Sequence, residues 1–494
     1  MSLQSQIDSY VQETMSGYVP RRYRSHKVIH DNLWGTNRYY PEELVIIDSP
    51  LFQRLRSIHQ TGLAFVTYPS LRHSRFEHSL GVAAVVRRFV RKLRERLKES
   101  ETSLKSGQYE IPDSLLQQLR LASLLHDCGH GFFSHVSESI YKWTPELTEL
   151  RHKQEFSSAK PSEILSYLIL KSPTFQQFFE NHVRPLAPQA KLDFIADLIL
   201  GKAPPDTYFA AQIINGSLDS DKIDYISRDA LYAGVNTTID VDRIFNDISL
   251  IRTEPQVLTL VLDGVLPLER LMFSKVVLYS SVYHHQKVKA ADCIVEGLIE
   301  YLRESGKKLC GFSFDAAVDF LKVTDFDLLS AGAVQSCDAY TRAMLLRLQQ
   351  RNLLQRCLVL SRETIENYES CAYFLNRVGQ SPEELRKLRD RIVQKTKREI
   401  PVHEVWISLP EQPSLREASQ TLAIRPGDDQ PVRVSDIFPL EGWLRAFSDN
   451  KWKGHIFAPP EHSEVVARAA KEVLGEMEVR LNSRSHAYAH VSLE

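Results

Sequence analysis

The clearest periodic pattern in the chain is an apolar stripe that ends in a histidine. Its members recur in steps of four, three and four, as Leu115, Leu119, Ala122 and His126. This spacing predicts an amphipathic helix with one buried face. Pro112 suits the start of that helix, and Gly129 and Gly131 end or bend it. His126 and its neighbour Asp127 therefore lie at the core-facing end of a predicted helix.

A second stripe places another histidine on a buried helical face. It runs through His78, Val82, Val85, Phe89 and Leu93. The opposite face is basic, with Arg87, Arg88, Arg91, Lys92 and Arg94. The pattern again predicts an amphipathic helix with its histidine toward the core.

Polar residues share one face of a third predicted helix, at positions i, i+4 and i+8: Asp221, Tyr225 and Asp229. Its apolar face is formed by Ile223, Ile226 and Ala230. Taken alone, the segment fits a surface helix whose acidic residues pair with Lys222 and Arg228. A hydroxyl between two carboxylates also suits a phosphate and metal pocket.

Together, His78, His126, Asp127 and Asp221 form a full ligand set for a divalent cation. Either histidine alone is more typical of a hydrogen-bonded core residue. A buried aspartate beside a buried histidine is costly without a cation or a full set of hydrogen bonds. Imidazole nitrogen with carboxylate oxygen suits one divalent transition metal, zinc, iron, manganese or nickel, better than calcium.

Along the whole chain the pattern predicts a mainly α fold with a C-terminal α+β lobe. We expect an N-terminal helical arm at 1–24, a helical core at 25–300 and the lobe at 301–494. The core should contain a hairpin at 257–262 with Asp263–Gly264 as its turn, and one long helix over 270–301. In the lobe we expect helices at 312–322, 338–358, 382–398 and 461–480, and strands at 401–407, 431–436 and 453–458.

Composition is that of a cytoplasmic enzyme rather than a membrane or secreted protein. The 494 residues are 43% hydrophobic and carry a net charge of −1, so no global positive charge favours nucleic acid. The basic run over 386–398 is more typical of a solvated helix face than of a nucleic-acid contact. The six cysteines lack CxxC spacing, which indicates reduced thiols. No apolar run is long enough to cross a bilayer.

Four segments, in order, resemble the HD-domain phosphohydrolases. They are residues 47–56 (IDSPLFQRLR), 75–82 (RFEHSLGV), 125–135 (LHDCGHGFFSH) and 221–225 (DKIDY). The set is similar to the branch of deoxynucleoside triphosphate (dNTP) triphosphohydrolases, and the likeness covers about residues 25–300. The helical core is accordingly identified as an HD domain.

The resemblance implies roles for individual residues. The family's metal ligands map onto the four residues named above. His130 matches a general acid or base and can share the site if the helix continues through Gly129. The matches to substrate-contacting positions are Lys222 and Tyr225 for the phosphates, Arg75 for packing against the substrate, and Gln60, Asp229 and His284 for the sugar side. The implied reaction releases a deoxynucleoside and inorganic triphosphate, with magnesium able to accompany the nucleotide.

Several positions differ from the family pattern. A second catalytic histidine, in a His-Glu pair, has no counterpart over 151–163, where His152 is the alternative. A phosphate-binding arginine is replaced by Val276. The aromatic residue beside the 2′ position falls near residues 283–286. These differences keep two other functions open: an HD phosphohydrolase for another nucleotide or phosphodiester, and a nucleotide sensor with low turnover.

Two further expectations follow from the resemblance. Asp48, Gln53 and Arg56 resemble residues that read a regulatory guanine nucleotide, although they also suit a surface helix that starts near Pro50. The C-terminal lobe is expected to support regulation or a homo-oligomer, as a dimer or tetramer.

Overall fold

The computed structural model describes residues 2–99, 109–237, 239–253, 256–409, 419–425, 430–439, 442–443 and 451–487. Its α-helices, numbered α1 to α22 in chain order, are Leu3–Met15, Pro41–Ile47, Pro50–Gln53, Arg75–Glu99, Asp113–Leu125, His135–Tyr141, Pro145–Arg151, Pro161–Leu170, Pro173–Phe178, Leu192–Ile199, Tyr208–Ile214, Ser220–Ala233, Val241–Asn246, Leu266–Leu278, Gln286–Ser305, Asp325–Leu328, Ala331–Ser336, Ala339–Gln349, Tyr368–Gly379, Pro382–Thr396, Ser463–Glu476 and Arg484–Ala487. The prediction of a mainly α fold is confirmed.

Short strands form three small sheets. Numbered β1 to β9, the strands are Lys27–Asp31, Gly35–Tyr39, Ile248–Thr253, Val257–Leu262, Gln355–Leu360, Trp406–Ser408, Leu422–Ile424, Pro431–Arg433 and Gly454–Ala458. The first sheet is the β1–β2 hairpin, the second has the order β3-β4-β7-β8, and the third has the order β5-β9-β6. In the second sheet only the β4–β7 pair is parallel.

The three histidine- or aspartate-bearing helices predicted from periodicity pack on one another. α4 lies against both α5 and α12, with their apolar faces in one large core. Gly81 of α4 permits this close approach, because a Cβ there would lie 2.0 Å from Asp224 Oδ1 on α12. The surface-helix alternative for α12 is wrong, since Asp224, Arg228 and Asp229 are all buried.

A second apolar core belongs to the C-terminal lobe. It is built from β5, β6 and β9 with α19, α20 and α21 around them. Residues before this lobe pack into the first core instead. The rings of Phe314 and Phe320, for example, both lie 5.4 Å from the ring of Phe132. The division at residues 300 and 301 stays a prediction. The first core includes buried residues up to Leu354 and also Ala423 of β7 and Val434 beside β8, while the second begins at Cys357.

The region predicted as one long helix over 270–301 is broken. α14 ends at Leu278, a π-helical turn covers Tyr279–Tyr283, and α15 begins at Gln286. The His285 side chain accepts from the Lys287 amide and caps the new helix. The break matters for the site because it lets Tyr283 turn toward α12.

Several predicted boundaries also differ from the structure. The hairpin exists, but β4 pairs with β3, so its connection is at 254–256, of which 254 and 255 lie outside the described residues. Asp263–Gly264 instead leads into α14. The helix expected over 338–358 ends at Gln349 and β5 follows, while 312–322 holds only a 3-10 helix, Ala317–Leu321. Strand β6 is limited to Trp406–Ser408.

The basic face of α20 is paired with acidic residues of the same chain. Arg386 and Arg389 both bind Glu300, and Arg391 and Lys395 both bind Glu476. Phosphates of a nucleic acid would compete with these carboxylates for the same basic side chains. The basic face of α20 is thus a surface of ion pairs within the chain. Among the described residues, no helix is both long and apolar enough to cross a membrane.

Candidate metal and phosphohydrolase site

His126 and Asp127 lie on a turn that follows α5. The helix ends at Leu125, and the backbone continues in tight turns in which the Cys128 amide donates to Leu125 O and the His130 amide to Asp127 O. Arg54 donates from Nη2 to the carbonyl oxygens of Cys128 and His130, at 2.9 and 2.7 Å. The helix therefore does not continue through Gly129, in agreement with the expected end or bend after the His126–Asp127 pair. The turn still brings His130 Nε2 to 3.5 Å from Asp127 Oδ1.

Both histidines of the predicted ligand set are oriented by an acceptor behind the ring. His78 Nδ1 lies 2.7 Å from Asp224 Oδ2, and both side chains are fully buried. His126 Nδ1 lies 2.7 Å from the carbonyl oxygen of Ser123. Because each acceptor takes the Nδ1 proton, Nε2 carries the lone pair, which is the arrangement of metal-binding imidazoles.

The remaining ring nitrogens meet the two aspartates. The ligand atoms of His78, His126 and Asp221 all lie within 4.8 Å of one another. His78 Nε2 is 3.0 Å from Asp221 Oδ1, and His126 Nε2 is 3.3 Å from Asp127 Oδ1. Atoms bound at about 2.0–2.2 Å to one transition metal lie roughly 3 Å apart. Among the described residues, His126 Nε2 has no hydrogen-bond partner, while His78 Nε2 is paired with the Asp221 carboxylate. The donor set fits a divalent metal.

The carboxylates of the cluster are held ionised. Burial alone would raise the pKa of Asp127, but Arg75 and the imidazoles of His126 and His130 hold it well below its usual range. Burial would lower the pKa of His78, but the carboxylates of Asp221 and Asp224 raise it to about 10. The negative potential that would retain a proton on His78 also favours a cation at the same place.

Arg75 connects the first turn of α4 to this cluster. Its side chain is buried, with Nη1 2.6 Å from Asp127 Oδ2 and Nε 2.8 Å from Ser134 Oγ. Within the described part of the chain, Nη2 is buried without a hydrogen-bond partner. Since an unsatisfied buried donor is costly, Nη2 remains for a ligand oxygen.

A histidine and a glutamate that the sequence reasoning missed lie beside His130. The rings of His130 and His135 are 5.5 Å apart and nearly perpendicular. His135 Nδ1 lies 2.9 Å from Glu138 Oε2, and Glu138 Oε1 accepts from Ser162 Oγ at 2.7 Å. A His-Glu pair thus occurs here with a spacing of three residues on α6. That spacing was a sequence signal. His135 is exposed at the start of α6, and the alternative, His152, is exposed at the end of α7.

The proton state of His130 differs from that of His78. Burial and the Arg75 guanidinium hold the pKa of His130 well below its usual range. Its Nδ1 is buried without a hydrogen-bond partner among the described residues. A neutral imidazole beside a metal site can accept a proton at neutral pH.

A second group of polar residues forms around Asp229, one helical turn beyond Tyr225. Asp229 is buried, its Oδ1 lies 2.8 Å from His73 Nε2, and its Oδ2 accepts from the Tyr283 hydroxyl. Gln60 is also buried, and its Oε1 has no hydrogen-bond partner among the described residues. Within the 283–286 segment, the structure therefore brings Tyr283 to the aspartate.

Two other residues predicted to contact the substrate, Lys222 and His284, instead make contacts within the chain. Lys222 donates from Nζ to Gly216 O and Asp219 Oδ2, both at 2.7 Å. His284 is half-buried with its ring 5.5 Å from that of Tyr279, and burial lowers its pKa to about 3. Val276 is buried in the core. Substrate contact by Lys222 and His284 stays a prediction.

The three residues considered for a regulatory nucleotide are adjacent and bound within the chain. Asp48 accepts from the Tyr23 hydroxyl, Gln53 Nε2 donates to Ile47 O at 2.7 Å, and Arg56 Nε donates to Gln53 Oε1 at 2.7 Å. Ser49, one residue after Asp48, caps the short helix α3. Regulatory binding at Asp48, Gln53 and Arg56 stays a prediction.

Cys128 sits between Asp127 and Gly129 but faces the core. The side chain is fully buried, and burial raises the pKa of its thiol to about 12. The expected core-filling role agrees with this burial.

Comparison with known proteins places most of the chain in two family regions. A model described as the HD domain matches residues 75–228, and one described as the HD associated region matches residues 239–484. An uncharacterized protein of Methanocaldococcus jannaschii is 24% identical over 469 residues, which are 93% of this chain and 86% of that protein.

Several relatives carry a functional name, deoxynucleoside triphosphate triphosphohydrolase SAMHD1. The Dictyostelium discoideum homolog is 29% identical over 308 residues, and the human protein is 26% identical over 379 residues. The alignments include 61% and 70% of this chain but 51% and 56% of those proteins, so the chain spans about half the length of each. From the ordered motifs, the metal-ligand geometry and these matches, the chain belongs to the HD-domain superfamily of hydrolases and resembles its dNTP triphosphohydrolase branch.

Proposed function

We propose that the protein is a metal-dependent triphosphohydrolase that converts a dNTP and water to a deoxynucleoside and inorganic triphosphate. The observation that carries the proposal is the cluster of His78, His126 and Asp221, whose ligand atoms lie within 4.8 Å of one another beside Asp127 and a neutral His130. The names of the SAMHD1 relatives support the choice of substrate.

The four ligands would hold one divalent ion, manganese, iron, zinc or nickel. When bound, such an ion polarises a phosphoryl oxygen and lowers the pKa of a nearby water. Arg75 offers its free Nη2 to the phosphates, and Lys222 and Tyr225 extend the polar surface along α12. Magnesium accompanies the β- and γ-phosphates in this scheme.

Proton transfer falls to the two histidines of the turn. Water attacks the α-phosphorus and the bond to the 5′ oxygen breaks, so one proton must leave the water and one must reach the 5′ oxygen. His130 is neutral and suits the first task. His135, paired with Glu138 at 2.9 Å, suits the second, because the carboxylate stabilises the imidazolium that donates the proton.

Sugar recognition is assigned to the group around Asp229. A carboxylate there can accept from a 3′ hydroxyl, and Gln60 Oε1 offers a second acceptor. The Tyr283 ring, fixed on Asp229 by its hydroxyl, would lie beside the 2′ position of a sugar bound there. We propose Tyr283 as the residue that favours deoxyribose.

The test is a substrate panel with product analysis. Purified protein with Mn²⁺ is given the four dNTPs, the four NTPs, mononucleotides and a single-stranded oligonucleotide. Triphosphate released from dNTPs, with little from NTPs, supports the proposal. Asp224→Asn and Asp31→Asn serve as a matched pair that separates metal-site effects from folding effects.

A second candidate is an HD phosphohydrolase for another nucleotide or a phosphodiester. It is favoured by Val276, a buried apolar side chain where the family has a phosphate-binding arginine. Release of orthophosphate or a nucleoside monophosphate in the same panel selects it. Nucleotide binding without turnover selects a sensor.

We also propose that the C-terminal lobe supports a dimer or tetramer. Tyr373 on α19 is 80% exposed, and aromatic side chains of this kind are enriched at subunit interfaces. Light scattering of the purified chain, with and without dGTP, tests this state; a monomer in both conditions contradicts it.

A further inference from the structure

One buried aspartate outside the HD-domain match holds two loops of the site together. Asp325 begins the short helix α16, 97 residues after the end of that match at residue 228 (325 − 228), and is 1% exposed. Its Oδ2 accepts from the His59 amide at 2.9 Å and lies 2.6 Å from His59 Nδ1. Its Oδ1 accepts from the Phe133 amide at 2.6 Å.

The loop that receives the Oδ1 bond has an unfavourable backbone conformation. Phe133 has φ 49°, and Ser134 has φ 52° and ψ −110°. Residues other than glycine adopt such angles only when the surroundings hold them there. Gly62 packs directly against this loop, and a Cβ at Gly62 would lie 2.7 Å from Phe133 O. The 133–134 turn is therefore fixed by its contacts, with Asp325 as its anionic contact.

The two loops, at residues 59–60 and 133–135, contact or contain side chains of the candidate site. Ser134 Oγ donates to His59 O and accepts from Arg75 Nε at 2.8 Å, and Arg75 in turn binds Asp127. Gln60 follows His59 directly, and His135 follows Ser134 directly. The Asp325 carboxylate thus holds the two loops that position Gln60, Arg75 and His135, the residues proposed above for the sugar, the phosphates and the proton of the 5′ oxygen.

We propose that Asp325 is a positioning residue, through which the HD associated region holds the 59–60 and 133–135 loops in the arrangement required for turnover. The reaction that Asp325 would support is the one given under the proposed function. The loop geometry that Asp325 holds does not depend on that proposal. An aspartate suits this position because an ionised carboxylate can only accept hydrogen bonds. The three groups that face it are the His59 and Phe133 amides, which are donors, and His59 Nδ1, which can be one. Asparagine would turn an amide donor toward one of them.

The experiment compares Asp325→Asn with Asp327→Asn on the same helix. Asp327 is exposed and only caps α16 through Thr324, so its variant reports the effect of weakening that helix. For Asp325→Asn we expect the turnover rate of dGTP to fall by about 10- to 100-fold, with Mn²⁺ affinity changed less than about threefold. Asp327→Asn should keep the wild-type rate.

Hydrogen exchange gives a readout that does not depend on the reaction. The peptide containing the Phe133 and Ser134 amides should exchange at least about tenfold faster in Asp325→Asn than in the wild type or Asp327→Asn. If the wild-type chain hydrolyses no dNTP, the proposed function fails, while hydrogen exchange and the Kd for a non-hydrolysable dGTP analogue still decide the role of Asp325. Equal exchange and equal Kd in the two variants overturn the positioning role.

A milder variant guards against a folding defect. His59→Phe removes the Nδ1 group but keeps the ring packing on Phe65 and the backbone bonds of Asp325. It should lie between wild type and Asp325→Asn in turnover, with KM for dGTP raised as the Gln60 loop loosens. A wild-type rate and KM in His59→Phe, together with loss of Mn²⁺ affinity in Asp325→Asn, would show a general structural role and overturn the proposal.

Discussion

Asp224→Asn is the sharpest test of the metal centre because it changes no ligand. Asp224 is fully buried and receives His78 Nδ1 at 2.7 Å, Arg228 Nε and Nη2 at 2.9 Å each, and the Trp34 indole. Asparagine keeps the shape but loses the charge that stabilises both His78 as a ligand and Arg228. We therefore expect separate losses of metal affinity and of folding stability.

The size of each loss follows from these contacts. Removing the carboxylate behind a metal-binding histidine weakens the metal about 10- to 100-fold, or about 1.4–2.8 kcal/mol at 1.4 kcal/mol per tenfold. Arg228 keeps Asp31, whose Oδ2 lies 2.8 Å from its Nη2. The metal-free protein should therefore lose about 1.5–3 kcal/mol of unfolding free energy, as for a hydrogen bond to a charged group. The loss would be larger if Arg228 were left buried without a carboxylate partner.

Asp31→Asn is the matched control. It weakens the same Arg228 network, but within the described part of the chain Asp31 otherwise accepts from the Leu33 and Trp34 amides alone. It should lose comparable stability in urea unfolding while binding Mn²⁺ within about threefold of the wild type by titration calorimetry. A folded Asp224→Asn that binds Mn²⁺ as tightly as the wild type would refute the orienting role of Asp224.

Three more outcomes follow from the site and its surroundings. Asp127→Ala should abolish Mn²⁺ binding in equilibrium dialysis and turnover with it, and retained metal would exclude Asp127 as a ligand. His130→Ala and His135→Ala should both keep the metal and slow dNTP turnover by about 10²- to 10⁴-fold; a wild-type rate in either would remove that residue from proton transfer. Burial next to a like charge raises the pKa of Glu296 to about 7 from 4.5, so the fold favours its protonated form. The stability that this carboxyl contributes is complete below pH 4.5 and is lost as pH rises toward 7. Unfolding free energies of wild type relative to Glu296→Gln should fall by up to about 3 kcal/mol across that window, and parallel pH profiles would contradict the shift.

Periodicity is sufficient to locate the helices of the site. The buried faces of α4, α5 and α12 depend on local spacing, so the amino-acid sequence alone places His78, His126 and Asp221 on predicted helices. The cost of an unpaired buried charge predicts that Asp127 has a cationic partner, and its contact with Arg75 agrees with that reasoning.

The features that sequence could not supply depend on long-range contacts or on small changes of helix geometry. A π-helical turn at Tyr279–Tyr283 adds one residue to a turn and leaves the apolar pattern nearly unchanged, so the break is not visible in the spacing. His135 and Glu138 escape a pattern that requires an adjacent His-Glu pair, because they are three positions apart on α6. Asp325 contacts His59 across 266 residues, and no local pattern reports such a pairing.

The burial of Cys128 has a consequence for how the protein withstands oxidation. Although the thiol lies between Asp127 and Gly129, burial keeps it protonated, and a thiol reacts with peroxides and alkylating agents as the thiolate. The centre is therefore built from imidazoles and carboxylates that do not undergo thiol oxidation, with its sulfur withdrawn into the core. Iodoacetamide or hydrogen peroxide at neutral pH should leave Cys128 unmodified by mass spectrometry, and the metal ligands should keep their function under conditions that inactivate thiolate-dependent hydrolases.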